Sequence, residues 1–288
     1  MVKVRRGLVA SAGVLLVAGA MGVAPAQAAV DAPPALTTPA ASSFLVGSRV
    51  SVDTPVPCDD AWQPGQGKVW VTVQQVLSWS GSDDTGPVSY SWVENTKGWG
   101  PGAEGASSPA TRLVRATTDA NQECGGGSWM PSDWDITATD ASGQAITNNV
   151  GGGLFSFTQN NNATDDSHYA AGAVIDYSAG WATATCGCWS DGSVTTTSEK
   201  GATATITFAG GRSSDLHVGL VMHRGPARGR FRVLVNGTRV ATVNTHAPTN
   251  QPRMVVWQRA IKVTDTVTIV NLASRGHGRI DLDGVLTN

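Results

Sequence analysis

Four stretches decide the fold of this chain: Gly201-Ala-Thr-Ala-Thr-Ile-Thr-Phe208, Phe231-Arg-Val-Leu-Val-Asn-Gly-Thr-Arg-Val-Ala-Thr-Val243, Asp265-Thr-Val-Thr-Ile-Val270 and Arg279-Ile-Asp-Leu-Asp-Gly-Val-Leu286. In the first, Thr203, Thr205 and Thr207 alternate with Ala204, Ile206 and Phe208, the period of a strand with one dry face. In the second, Asn236-Gly237 separates two β-rich runs, and both residues tolerate the positive φ that a tight hairpin demands. A two-residue loop there sets Val233 opposite Val240 and Val235 opposite Thr238. None of the four has a helical period. The C-terminal part of the chain is expected to be all-β.

Working outward, Tyr177-Ser-Ala-Gly-Trp181, Cys186-Gly-Cys188, Gly225-Pro-Ala-Arg-Gly229, the Val-Asn-Gly hairpin, Gln258-Arg259 and the closing Ile280-Asp-Leu-Asp-Gly284 join these strands into one pattern. Over residues 172–288 that pattern resembles the galactose-binding-like jelly rolls of secreted actinobacterial proteins. The resemblance implies a carbohydrate-binding or supporting module and carries no catalytic signature. In such modules a structural calcium often ties the first and last strands, which points to Asp176, Asp281 and Asp283. Two carboxylates spaced two apart on a strand share a face, and hard oxygen donors suit Ca²⁺. The competing reading makes Asp281 and Asp283 the outward face of a strand whose inward face is Ile280 and Leu282.

Upstream, Lys68 to Val73, Gln75 to Trp79, Val88 to Val93, Thr111 to Thr117 and Trp134 to Thr139 read as further strands. Gly81 to Pro87 and Asp140 to Gly143 supply turn residues between them. Leu77-Ser-Trp79, Ser82-Asp-Asp84, Tyr90-Ser-Trp92 and Ala138-Thr-Asp-Ala-Ser-Gly143 resemble the fibronectin type III or immunoglobulin-like sandwiches of secreted bacterial proteins. The span from Gly98 to Ser132 departs from that pattern, being long and rich in glycine. Gly100-Pro-Gly-Ala-Glu-Gly105 matches a dinucleotide spacing, but no helix pattern follows it, and it is read as a surface loop.

The expected order is therefore a signal peptide (1–28), a Pro/Ala/Thr linker (29–45), an immunoglobulin/fibronectin-like β-sandwich (46–158), a polar linker (159–171) and a jelly roll (172–288). Lys3, Arg5 and Arg6 precede the apolar run Leu8 to Val23, and Ala26-Gln27-Ala28 offers a cleavage point. The run is short for a membrane span, so export is expected, with the product extracellular or wall-associated and monomeric. Four cysteines in an exported chain favour disulfides. Of three connectivities, Cys58 with Cys124 and Cys186 with Cys188 is preferred, because modules fold independently.

Charge is divided unevenly. Residues 29–171 carry 5 Lys and Arg against 15 Asp and Glu, whereas residues 172–288 carry 12 against 7. Arg224, Arg228, Arg230 and Arg232 form the one basic cluster, suited to bidentate contact with carboxylate or phosphate. Only Phe231 interleaves with them, so nucleic acid is not an expected partner. Among ten tryptophans, Trp79 and Trp92 are expected in the core. Trp189 follows the Cys-Gly-Cys staple and, with Trp181, is the candidate platform for a sugar face. The five histidines are scattered through the sequence, and His217 and His223 are read as strand-end residues.

No nucleophile elbow, zincin motif or placeable carboxylate pair is legible. Whether the chain is an enzyme stays open, with the reading leaning against it. The leading expectation is a secreted, non-catalytic binding or adhesion protein for extracellular polysaccharide, contacting it through Trp189, Trp181, Arg228 and Arg230. It needs no cofactor beyond a possible Ca²⁺. The alternatives are a spacer or display protein on anionic cell-wall polymers, and a secreted hydrolase with a site between the modules.

Overall fold

In the computed structural model the closing strand Ile280–Thr287 is buried along its whole length, at the centre of a seven-stranded antiparallel sheet. One edge of it takes Ser193–Thr197 beside its first half and Ser156–Gln159 beside its second. The other edge takes Asp215–Arg224, which carries Gln251–Lys262 on its far side. A five-stranded sheet faces it, in the order Gly172–Tyr177, Thr203–Ala209, Val267–Asn271, Arg230–Val235, Thr238–Asn244. The structure describes residues 31–39, 42–52, 56–57, 67–96, 100–108, 110–121, 132–150, 155–159, 162–163, 172–209 and 215–288. The signal segment, Cys58 and Cys124 lie outside them. By its contacts the chain divides into Met1–Asp31 and Ala32–Asn288.

The fold is all-β, as the period-2 patterning requires. Ala204, Ile206, Phe231, Val233, Val267 and Ile269 from the five-stranded sheet meet Leu216, Val218, Leu220, Met222, Ile280 and Leu282 from the seven-stranded one in a single apolar core. Burying such side chains contributes about 1.5–3 kcal/mol each. The hairpin forms where Asn236-Gly237 placed it, with both φ values positive, 49° and 76°. Val235 pairs with Thr238 as expected, but Val233 faces Ala241 rather than Val240, because a bulge shifts the register between Val233 and Leu234.

A second bulge matters more. Met222 pairs with Leu282 and Val221 with Gly284, leaving Asp283 without a partner in the ladder. The extra residue changes which side chains share a face. Ile280, Leu282 and Val285 belong to the inner core, while Leu286 belongs to a cluster on the opposite face. Asp281 and Asp283 are not a solvated outer face, as strict alternation implied; both are buried.

That opposite face is covered from the N-terminal side. Phe44, Val50, Val71, Val73, Phe155 and Phe157 pack on Val221, Val255 and Leu286. Two glycines make room. A Cβ at Gly219 would lie 3.0 Å from the Phe44 ring, and one at Gly284 would collide with Phe157. Ser156–Gln159, placed by sequence at the junction of the first module and the linker, is thus a strand of the C-terminal sheet. Asn162–Ala163, from the expected polar linker, pairs with it in turn.

Further from this junction, Leu77, Trp79, Tyr90, Trp134, Ile136, Ala138 and Val150 form a separate core. One sheet around it has the order Ala145–Val150, Ser132–Thr139, Ser89–Thr96, Gly100–Ser108; the other centres on Gly67–Ser78, paired along its length with Arg112–Asn121. Gly67–Ser78 is one continuous strand where two were expected. Gly100–Ser108, whose stretch Gly100 to Gly105 was expected as a surface loop, completes a sheet edge. Ala35–Thr37, expected within the Pro/Ala/Thr linker, pairs with Ser80–Ser82.

Candidate functional site

At one end of the C-terminal sandwich the loop 186–192, the ends of Asp215–Arg224 and Ile280–Thr287, and the turn after Arg224 converge. Cys186 and Cys188 are disulfide-bonded at the base of that loop. Trp189 folds inward and is only 7% exposed. Its indole N–H donates to His223 Nδ1 at 2.9 Å. An indole only donates, so in the neutral His223 ring the proton sits on Nε2, which faces Asn250 Oδ1 at 3.2 Å. Burial, then the charge of Arg228, holds His223 below the ordinary histidine range.

Beside this pair lie the two aspartates. Asp281 accepts from Arg228 Nε at 2.7 Å, Arg279 Nε at 2.5 Å and Thr196 Oγ1 at 2.6 Å. Asp283 accepts from the backbone N–H of Ser190 at 3.1 Å and from its hydroxyl at 2.7 Å. Burial outweighs those two hydrogen bonds and pushes the Asp283 carboxyl up to about 6. The Arg279 guanidinium lies 5.9 Å above the Trp189 ring. Gln159 donates from Nε2 to the carbonyls of Ser190 and Ser193. Arg253, with a positive φ of 59°, reaches the carbonyls of Cys188 and Val52.

Four of the seven predicted ligand and metal residues therefore meet here: Trp189, Arg228, Asp281 and Asp283. Their roles differ from those expected. Trp189 turns no open face to solvent and so offers no sugar platform. Arg228 is held by Asp281. Asp281 meets two guanidinium groups and Asp283 a serine, and Asp176 stands exposed on a strand of the other sheet. Among the described residues these three aspartates do not gather their oxygens within 4.8 Å of one another. Trp181 is half-buried against Tyr177, ring centroids 5.1 Å apart. Arg230 is exposed with Arg232 and Arg239 on the outer face of the five-stranded sheet.

Sequence reasoning missed His223, Ser190 and Arg279. His223, read as a strand-end residue, is 4% exposed. Arg279 had a legible signal, since it stands two residues before Asp281 on the same strand direction. The contacts of Ser190 and His223 had none, because their partners lie far away in the chain.

A groove of about 420 Å³ opens elsewhere, where the edges of the two sheets meet. Val46, Val243, Val255, Val256 and Trp257 form its apolar walls, and Arg224, Thr242 and Asn244 give it polar groups. Its volume falls in the range of small-ligand sites, roughly 300–1,000 Å³. Thr242 and Asn244 are exposed, and they sit opposite Arg232 and Arg230 in the strand register, so the groove rim adjoins the arginine face.

The class defined is an all-β protein of packed sandwiches with a sealed polar network and an open edge groove. No family model matches the sequence, and no curated protein matches it. Among solved structures, a xanthan lyase from Paenibacillus is similar at a TM-score of 0.35 and 15% identity, over 85% of this chain and 26% of that one. An exo-β-1,3-galactanase from Phanerochaete chrysosporium is similar at 0.28 and 12%, over 84% and 69%. The Agl-KA catalytic domain is similar at 0.29 and 13%, over 42% and 28%. This chain thus spans about a quarter of the lyase and of the Agl-KA domain. Likeness this low carries no functional argument.

Proposed function

We propose that the chain is an exported polysaccharide-binding protein whose ligand lies in the groove between Thr238–Asn244 and Gln251–Lys262. The supporting observation is the lining. Sugars present apolar C–H faces and polar rims together, and the groove sets the partly open Val46, Val243 and Val256 beside Arg224, Thr242 and Asn244. In this reading the jelly-roll-like residues 172–288 carry most of the recognition, Val46 and Gly47 complete the groove lining, and the rest of residues 46–158 buttress them. A second reading takes its support from the exposed Arg230, Arg232 and Arg239, which suit an anionic cell-wall polymer.

Retention of the purified protein on insoluble neutral polysaccharides and on isolated cell wall, at low and high salt, separates the two. Groove binding predicts retention that survives salt and weakens about tenfold in Arg224→Ala, the loss of one charge-assisted hydrogen bond of roughly 1.5 kcal/mol. Retention only on wall, released by salt and abolished by removing the three arginines, favours the second reading. Retention on neither overturns both.

A further inference from the structure

The Cys186–Cys188 disulfide joins parts of the chain that are already joined. The loop 186–192 connects Ala182–Thr185 to Ser193–Thr197, and the ladder between those strands runs up to the pair Thr185 with Ser193. Inside the loop, the Cys186 N–H donates to the Gly192 carbonyl at 2.9 Å and the Trp189 N–H to the Cys186 carbonyl at 3.1 Å. Outside it, Trp189 is bonded to His223 and Ser190 to Asp283. Gln159 holds the carbonyls of Ser190 and Ser193, and Arg253 Nε holds the Cys188 carbonyl at 3.1 Å. None of these bonds involves a sulfur atom.

The disulfide itself spans a single intervening residue, Gly187. A cross-link restrains the unfolded chain more the longer the loop it closes, so this one does little for folding. It also lies open to water: Cys186 and Gly187 are exposed, and Cys188 is half-buried. Exposed disulfides are the labile ones that enter exchange, whereas structural ones resist reduction.

The loop also prepares the reduced state. Its two Cα atoms are 5.1 Å apart, within the roughly 4.4–6.8 Å that a disulfide spans. That spacing is set by backbone held through other bonds, so two thiols would stay side by side, ready to close again. The sulfurs are not equivalent. The Cys188 N–H donates to Cys186 Sγ at 3.2 Å, and a donor on a sulfur favours its thiolate. Cys186 is also the more exposed of the two, so it is the sulfur that an outside group reaches.

We propose that Cys186-Gly187-Cys188 is a thiol–disulfide exchange centre that accepts two electrons from a dithiol on another molecule. A thiolate of that partner attacks Cys186 Sγ. The Cys186–Cys188 bond breaks, and its electron pair leaves on Cys188, which takes up a proton. The partner's second thiolate then attacks the partner sulfur of the mixed disulfide and releases Cys186, which is protonated in turn. The partner ends with a disulfide and this chain with two thiols.

The test is equilibration of the folded, oxidised protein in glutathione buffers of graded redox poise. The peptide carrying Cys186 and Cys188 is then alkylated and mapped. The pair should pass from disulfide to dithiol in buffers that leave the near-ultraviolet circular dichroism unchanged. Dithiothreitol and a reduced two-cysteine peptide, as small and peptidic dithiols, should each be oxidised by one equivalent per chain. Cys188→Ser should trap glutathione on Cys186, and Cys186→Ser should trap little on Cys188. The double variant Cys186→Ser/Cys188→Ser should melt with the parent and lose the oxidation of both dithiols. A pair that stays closed in every buffer in which the protein is folded overturns the proposal. So does a large loss of stability in the double variant, or equal trapping by the two single variants.

Discussion

The sealed network around Trp189 and the open groove beside Trp257 occupy one sandwich, and they are built from opposite materials. The network holds histidine, aspartate, arginine and an indole N–H, the groups by which sites are ordinarily found. The histidine, the aspartates and the indole are buried and matched, Trp189 with His223, Asp281 with Arg228 and Arg279, Asp283 with Ser190, while the two arginines stay partly exposed. The groove is walled mostly by valines and one tryptophan, with Arg224, Thr242 and Asn244 as its polar groups. In this protein catalytic-looking residues close the structure, and ordinary strand residues leave it open.

The difference has consequences of graded size. The largest should follow Asp281→Ala, which leaves Arg228 and Arg279 without their shared carboxylate. Breaking a fully buried pair from one side costs about 3–5 kcal/mol; because water still reaches Arg228 and Arg279, the lower end, about 3 kcal/mol, is expected in the midpoint of denaturant unfolding. If Asp281 instead served a ligand, stability would hardly change and binding would fall.

Next comes a pH effect. The Asp283 carboxyl is raised from 3.8 to about 6. Between those values the folded protein holds a proton that the unfolded chain has released, so the aspartate's contribution to stability falls as pH rises through that window and is level above it. Asp283→Asn removes the titration. The variant should gain on the parent by up to about 3 kcal/mol at pH 7 and by little below pH 4, in thermal melts across that range. A gain independent of pH would deny the buried, proton-holding carboxyl.

Smaller again is Trp189→Phe, which keeps the ring but leaves His223 Nδ1 without its donor. An unsatisfied buried acceptor costs about 1–3 kcal/mol. Melts in which Trp189→Phe matches the parent would place the indole outside the network.

Much of the fold was legible because it rests on local rules. Thr203 to Phe208 declared its dry face by alternation, and Asn236-Gly237 declared the hairpin by its need for positive φ. The pairing of Val233 failed because a bulge answers to the neighbouring strand, not to the turn. The same holds for Asp281 and Asp283: their spacing was readable, but the bulge at Asp283 and the rings of Phe44 and Phe157 over Gly219 and Gly284 depend on contacts made across the whole chain. Trp189 stood among small residues, the usual mark of an exposed loop, yet His223 draws it inward. The groove had no signature at all, since it lies between two strand edges and neither sequence marks it.

The most direct test of the division between sealed network and open groove is a comparison of two variants on one polysaccharide that retains the parent. Thr242→Trp fills the groove from an exposed strand position; Trp189→Phe disturbs the network. Retention should be measured below the melting range of both, alongside their unfolding midpoints. The account predicts that Thr242→Trp loses retention while unfolding within about 0.5 kcal/mol of the parent, and that Trp189→Phe is less stable yet fully retained. Full retention of Thr242→Trp together with loss of binding by folded Trp189→Phe would contradict it.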